Sequence, residues 1–357
     1  MVMLKSRLDR FMTFLEKSGS DALLVTHLPN IRYLCGFSGS DAMLLATPER
    51  CWFLCDSRYT VQARSEVCGA DIVETAVKYD SLRQIVMDNR IMRLAFEASH
   101  VTVAEYERLS GHLDGRSLSG VDSLLDAVRG CKDQDEIGVL RRNAALASEC
   151  LQSVLHLVKP GMAESALALA LEMEMRRRGA EDRAFDFIVA SGERGAMPHG
   201  KASEKLLCSG ELVTIDFGLV MDGYNSDETV TVSVGRAGDR CREIHGIVKD
   251  AHDRAIDAVR PGISCRELDE VARSWIRRHG YEQYFGHGLG HGVGLEIHEK
   301  PTLSPRSDDV VEEGMVLTIE PGIYLPGFGG VRIEDMIVVT QDGCELLSRA
   351  PKELLEL

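Results

Sequence analysis

Two stretches of this 357-residue chain set carboxylates inside apolar, strand-like runs, and that placement restricts the fold more than any other feature. Asp216 stands in LVTIDFG and Asp227 in YNSDETVTVSVG; Glu320 stands in MVLTIEPG and Glu334 in GVRIEDMIVV. An unpaired charge is costly to bury, so a fold that tucks these runs into a core must bring the charges to a shared counter-charge. The first stretch reads as a hairpin turning at Asp222-Gly223, a favoured two-residue turn. In that register Met221 faces Tyr224 and Asp216 faces Thr229, which makes Asp216 and Asp227 diagonal neighbours on one face. In the second stretch, a loop centred on Gly327 sets Glu320 opposite Glu334, unless Gly329-Gly330 hosts a bulge.

Between these hairpins lies FGHGLGHGVGLEIHE, with glycines at 286, 288, 290, 292 and 294. His287 and His291 fall between the glycines and point the same way in an extended chain, while the glycines let a backbone or ligand come close. His298 closes the segment. Taken singly, a DxG or EPG is a turn and a Gly/His run is a flexible or phosphate-binding loop. Taken together, two same-face carboxylate pairs and a histidine run read as a site for two divalent cations, held by Asp216, Asp227, His291, Glu320 and Glu334. One imidazole and four carboxylates without a thiolate suit Mn²⁺ or Co²⁺ first, then Fe²⁺ or Zn²⁺. Such a pair gives a chain a hydrolytic centre.

The whole-chain numbers narrow the setting. The length suits two domains, each able to bury a core. A net charge of -15 and a pI near 5.2 argue against nucleic acid and anionic membranes as partners. Ten scattered cysteines without a CxxC indicate reduced, structural thiols and a cytoplasmic protein. Charges interrupt the N-terminal apolar residues, so that segment is not expected to be a signal peptide. Leu4, Leu8, Phe11, Met12 and Leu15 follow helical spacing and predict an amphipathic first helix. No run reaches transmembrane length.

Along residues 1–127, strand signals at DALLVT, AMLLAT, CWFLC and MRLAFE and a helix at TVAEYERLSGHL predict an α/β domain with a mixed sheet. Asp133 followed by Glu136 is a capping-box variant that opens a helix running to about Val158. ESALALALEMEMRRRG, RCREIHGIVKDAHDRAIDAV and SCRELDEVARSWIRRHG predict three more helices. Residues 128–357 therefore read as helix, helix, strands, helix, helix, strands, with two similar halves that each end in a carboxylate-bearing hairpin.

These motifs carry a resemblance. Residues 128–357 resemble the pita-bread metallopeptidases, which include methionine aminopeptidase, aminopeptidase P, prolidase and creatinase. Residues 1–127, with NIRYLCGFSGSDA and DSRYTVQA, resemble the creatinase-type domain of the aminopeptidase P and prolidase branch. The resemblance implies an α/β creatinase-like N-terminal domain plus an α+β pita-bread domain with pseudo-two-fold halves. It matches the five residues above to a dinuclear ligand set in which Asp227 and Glu334 bridge or chelate. By the same resemblance His287 contacts substrate, His298 stabilises the tetrahedral intermediate, and His199 in AMPHG lies near the scissile bond. Glu320 would also carry a proton to the leaving nitrogen, and Arg332 in VRIED would sit behind the ligands or at the substrate's far end. The implied substrates are short peptides with proline second, whose scissile nitrogen carries no N–H. A homodimer is also implied.

Two positions depart from the pattern. Val230 in TVT stands where the family often has arginine, and Thr302 in HEKPT stands where prolidase-like members often have one. Arg306 is a candidate replacement for the latter. The leading function is a metal-dependent Xaa-Pro aminopeptidase or Xaa-Pro dipeptidase; the alternative is a non-catalytic pita-bread peptide-binding module, which should have lost ligands. Metal-free creatine-type hydrolysis predicts eroded carboxylates. A phosphoesterase predicts Arg/Lys clamps, and only Arg332 lies near the ligands.

Overall fold

The structure, a computed structural model, describes residues 7–8, 10–13, 15, 19–121 and 124–357. The chain divides into two compact units, Met1–Arg129 and Gly130–Leu357.

In the first unit, β1 (Ala22–Val25), β2 (Met43–Ala46), β3 (Cys51–Cys55), β4 (Asp71–Glu74), β5 (Arg93–Glu97) and β6 (Ser117–Val121) form one sheet in the order β4-β3-β2-β1-β5-β6. β1–β2 and β2–β3 pair antiparallel, while β3–β4, β1–β5 and β5–β6 pair parallel. The sheet is therefore mixed, as the sequence predicts. Between its strands, among the described residues, lie α1 (Leu28–Cys35), α2 (Thr60–Glu66), α3 (Lys78–Asp88) and α4 (Val103–His112). A capping box of Thr102 and Glu105 opens α4. The predicted strands form β1, β2, β3 and β5. Sequence reading misses β4 and β6, because both lie at sheet edges and carry exposed or half-buried side chains rather than an apolar run. Of the residues expected on the first helix, Leu8, Phe11 and Leu15 are buried; Leu4 lies outside the described residues.

A short helix α5 (Leu124–Gly130) leads to α6 (Gln134–Val154), whose start is fixed by the Asp133–Glu136 capping box. α6 ends earlier than expected, passing into a single 3₁₀ turn at Leu155–Leu157. α7 (Glu164–Arg177) follows, then β7 (Asp182–Arg183), β8 (Ile188–Ser191) and a 3₁₀ turn at Gly192–Ala196. β9 (Leu212–Phe217), β10 (Leu219–Met221), β11 (Tyr224–Asn225) and β12 (Glu228–Ser233) make the first hairpin. Its register is the predicted one: Met221 pairs with Tyr224 and Asp216 with Thr229. Asp222 and Gly223 both have positive φ, as the two-residue turn requires. The hairpin is broken in the middle, so β9–β12 and β10–β11 belong to different sheets. The break falls at Gly218, where a Cβ would lie 1.9 Å from the carbonyl oxygen of Ser226.

The second half repeats the plan. α8 (Asp239–Ala258) and α9 (Cys265–Arg278) precede β13 (Gly290–Gly292), β14 (Glu299–Leu303), β15 (Val316–Ile319), β16 (Gly322–Leu325), β17 (Gly329–Arg332), β18 (Asp335–Val339) and β19 (Cys344–Leu346). A Ser264–Glu267 capping box opens α9. Gly322 pairs with Arg332 and Ile319 with Asp335, so the hairpin is centred on Gly327 without a bulge, and Glu320 and Glu334 fall at facing positions. Each helix pair covers its own hairpin. Leu151, Leu167 and Leu171 pack with Val213, Ile215 and Val230; Val248, Leu268 and Ile276 pack with Leu317, Ile319 and Ile337. Among the described residues, the two hairpins meet at the backbone bridge of Thr229 opposite Glu334. This is the pseudo-two-fold arrangement of halves.

Candidate metal centre

The junction of the two hairpins gathers the carboxylates. Asp216 and Asp227 come from the first hairpin and are buried; Glu334 follows β17 and is buried, with half-buried Glu320 between β15 and β16 facing it. β13 adds His291. It fits against β15 because Gly290 has no side chain: a Cβ there would lie 2.0 Å from the carbonyl oxygen of Thr318. The alternating glycines thus serve backbone approach, which is one of the two uses the sequence offered.

Ligand atoms of Asp227, His291 and Glu334 all lie within 4.8 Å of one another. His291 Nε2 is 3.4 Å from Glu320 Oε1 and 3.7 Å from Asp227 Oδ2. The other ring nitrogen, Nδ1, is 2.9 Å from the carbonyl oxygen of Gly292. A carbonyl only accepts, so the proton sits on Nδ1 and the Nε2 lone pair faces carboxylate oxygens. Burial lowers the His291 pKa, which disfavours a second ring proton. Acceptors therefore converge here, and Asp216 Oδ1 is buried without a hydrogen-bond partner. Burial, then repulsion from Glu334, Asp216 and Glu320, raises Asp227 well above the usual carboxylate range. Glu334 is raised by burial and then by Glu320 and Asp216. Burial pushes Glu320 up to about 7, although Arg332 pulls the other way. A donor set of oxygens and one imidazole, too crowded with negative charge to sit unpaired, fits divalent cations.

Arg332 organises one side of the cluster. Its Nη2 donates to Asp216 Oδ2 at 2.6 Å, Nε to Thr229 Oγ1 at 3.2 Å, and Nη1 to the hydroxyl of Tyr324 at 2.9 Å and the carbonyl of Pro198 at 3.2 Å. Thr229 in turn donates to Glu334 Oε2 at 2.6 Å. The guanidinium is buried and engaged with the protein, which places Arg332 behind the carboxylates. His287 Nδ1 faces the carbonyl of Gly288 at 2.7 Å, so Nε2 accepts from Tyr324, 2.8 Å away. Burial holds the His287 pKa at about 4, so the ring is neutral.

The remaining candidates lie at the edge of the cluster. His298 is exposed, with its ring 4.4 Å from that of His291 and edge-on to it. His199 is exposed after the 3₁₀ turn, next to Pro198, whose carbonyl accepts from Arg332. Tyr324 and Thr229 were not singled out by the sequence; the only signal for Tyr324 was its parity with Gly322 on a strand next to Glu320. Val230 is buried in the core beneath α6 and α7, turned away from the carboxylates. Thr302 is exposed opposite His291 on β14, and Arg306 is exposed in the following turn.

Residues 138–341 match the model of metallopeptidase family M24, and residues 7–131 match that of the creatinase/prolidase N-terminal domain. The chain belongs to metallopeptidase family M24. An uncharacterized peptidase of Bacillus subtilis, YqhT, is 41% identical over 98% of this chain and 100% of its own length. The Xaa-Pro dipeptidase from Bacillus anthracis superposes with a TM-score of 0.97 at 39% identity, covering 99% of this chain and 100% of that one. An X-Pro aminopeptidase from Thermotoga maritima gives 0.90 at 38% identity, covering 95% and 99%. Membership of the M24 metallopeptidases implies divalent metal ions at the site.

Proposed function

We propose that this M24 metallopeptidase is an exopeptidase that cleaves between an N-terminal residue and proline. The observation that carries the reading is the convergence of Asp227, His291 and Glu334 within 4.8 Å, with Glu320 beside His291 and Asp216 presenting an unpartnered oxygen. The substrate class is supported by the full-length likeness to an Xaa-Pro dipeptidase and an X-Pro aminopeptidase. In this proposal Asp216, Asp227, His291, Glu320 and Glu334 hold two divalent cations, Mn²⁺ or Co²⁺ by donor chemistry, with Fe²⁺ or Zn²⁺ as further fits. When bound, such ions supply an activated water and polarise the peptide carbonyl.

The chain's own residues do the rest. Asp216 is held in place by Arg332, and Glu334 by the Thr229 hydroxyl. Glu320, pushed to about 7 by burial, is placed to pass a proton to the departing proline nitrogen near neutral pH. His298 and His199, exposed at the edge of the cluster, would meet the substrate carbonyl and the scissile bond. His287, neutral and locked by Tyr324, would contact the peptide. Retention of all five donors speaks against a non-catalytic peptide-binding module.

We assign residues 1–127 as the creatinase-type domain and 128–357 as the catalytic domain. A homodimer follows from the family resemblance. A cytoplasmic location is supported by ten scattered cysteines without a CxxC. No described helix is long and apolar enough to cross a membrane. The test is a length series with added Mn²⁺: Xaa-Pro, Xaa-Pro-Yaa and longer peptides. Cleavage of the dipeptide alone marks a dipeptidase, and cleavage of longer chains marks an aminopeptidase. No turnover of either by the metal-bound protein contradicts the proposal.

A further inference from the structure

β12 and β18 carry Asp227 and Glu334 at or beside their starts, yet they belong to different sheets. Among the described residues their direct backbone link is one bridge, in which Glu334 N donates to Thr229 O at 3.1 Å. Successive residues of a strand point to opposite faces, so Glu228 and Asp335 point away from the cation-facing side. There, Lys352 Nζ lies 2.6 Å from Glu228 Oε1 and 3.1 Å from Asp335 Oδ1. The lysine side chain is only 9% exposed, and its two partners are buried still deeper.

The segment that carries Lys352 is itself laced to both strands. On the β18 side, Met336 N donates to Ser348 Oγ at 2.9 Å and Leu347 N to Met336 O at 2.9 Å. On the β12 side, Ser233 N donates to Leu355 O at 2.8 Å and Leu357 N to Ser233 O at 3.0 Å. Ser148 Oγ on α6 and Ala350 N fix the Glu228 carboxylate at 2.6 and 3.1 Å. His252 Nε2 is 3.2 Å from Asp335 Oδ2, out of line for a hydrogen bond. An ammonium between two buried carboxylates draws their strands together; without it the carboxylates repel across a low-dielectric gap.

We infer that Lys352 is a positioning residue, which clamps β12 to β18 from the back of the sheet and so sets the spacing of Asp227 and Glu334 on the front. The inference rests on the metal reading proposed above. Its test uses the full-length protein with Mn²⁺ as the probe. Binding is measured by calorimetry, and the spacing of two ions by the exchange coupling in the Mn²⁺ electron paramagnetic resonance spectrum. K352M should weaken Mn²⁺ binding by ~10-fold or more, the scale of lost supporting contacts behind metal ligands, and should alter the coupled spectrum. K352R should restore both. E228Q/K352M removes one of the two carboxylates that K352M leaves facing each other, and so their repulsion, and guards against a K352M that fails to fold; the clamp predicts that binding stays weak and the spectrum altered. Folded K352M with wild-type affinity and spectrum overturns the clamp, as does full recovery in E228Q/K352M. No Mn²⁺ binding by the wild-type chain overturns the metal reading itself, and the clamp with it.

Discussion

At the residue scale, the protonation pattern of two histidines carries most of the chemistry. In both His287 and His291 a local carbonyl fixes the proton on Nδ1, leaving the Nε2 lone pair to face the Tyr324 hydroxyl in His287 and the carboxylates in His291. For His287 the partner is Tyr324, which also accepts from Arg332, the residue that anchors Asp216. Tyr324→Phe deletes the hydroxyl that joins these two groups while keeping the ring. We expect kcat/KM on an Xaa-Pro substrate to fall about 10-fold, the effect of one hydrogen bond at a site of charged groups, with Mn²⁺ affinity nearly unchanged. Unaltered steady-state kinetics would show that the link has no role. The carboxylates were legible in sequence because each stands in or beside an apolar run, and His287 and His291 because they alternate with glycines. Tyr324 was not, because an aromatic residue in a strand is ordinary and its hydroxyl finds its partners only in space.

At the element scale, hairpin parity was readable and hairpin continuity was not. The turn at Asp222-Gly223 and the centre at Gly327 determine both registers, since side chains repeat every two residues. The break at Gly218 comes from a close backbone crossing that a lone glycine does not announce. Edge strands β4 and β6 escaped notice for lack of an apolar face. Helix α8 supplies a pH prediction. His245 is buried on it, and burial lowers its pKa to about 4, so the folded protein keeps the ring neutral where the unfolded chain would protonate it. The unfolded state then binds more protons between about 6.5 and 4, and stability falls as pH falls through that window. His245→Leu removes this loss. Between pH 7 and pH 4.5, urea unfolding should shift in favour of the variant by roughly 2–3 kcal/mol. A difference that stays flat with pH would contradict the assignment.

At the scale of the whole catalytic unit, four carboxylates are concentrated at the seam of two halves, and two of them are held far above their usual pKa by burial and mutual repulsion. Divalent cations relieve that repulsion only in the folded state, so they stabilise it by mass action. At ~100 times the dissociation constant the gain is about 2.7 kcal/mol. For a unit of this size that corresponds to a melting temperature higher by roughly 5–10 °C. Thermal unfolding in EDTA, compared with excess Mn²⁺, measures it, and coincident curves would argue that no cation is bound. Val230 shares its strand face with Glu228 and packs in the apolar core with Leu151, Leu167 and Leu171.

The sequence by itself determined the helix that begins in the Asp133–Glu136 capping box and the two hairpin registers, and with them the faces that carry the carboxylates, because each follows from local propensity or from a period of two. Only the tertiary structure decided how the halves meet. Thr229 beside Glu334, Arg332 on Asp216 and Lys352 between Glu228 and Asp335 join residues more than a hundred positions apart in every pairing but Lys352 with Asp335. No local pattern encodes such pairings; they arise when two separately specified hairpins pack edge to edge and their buried charges must find partners.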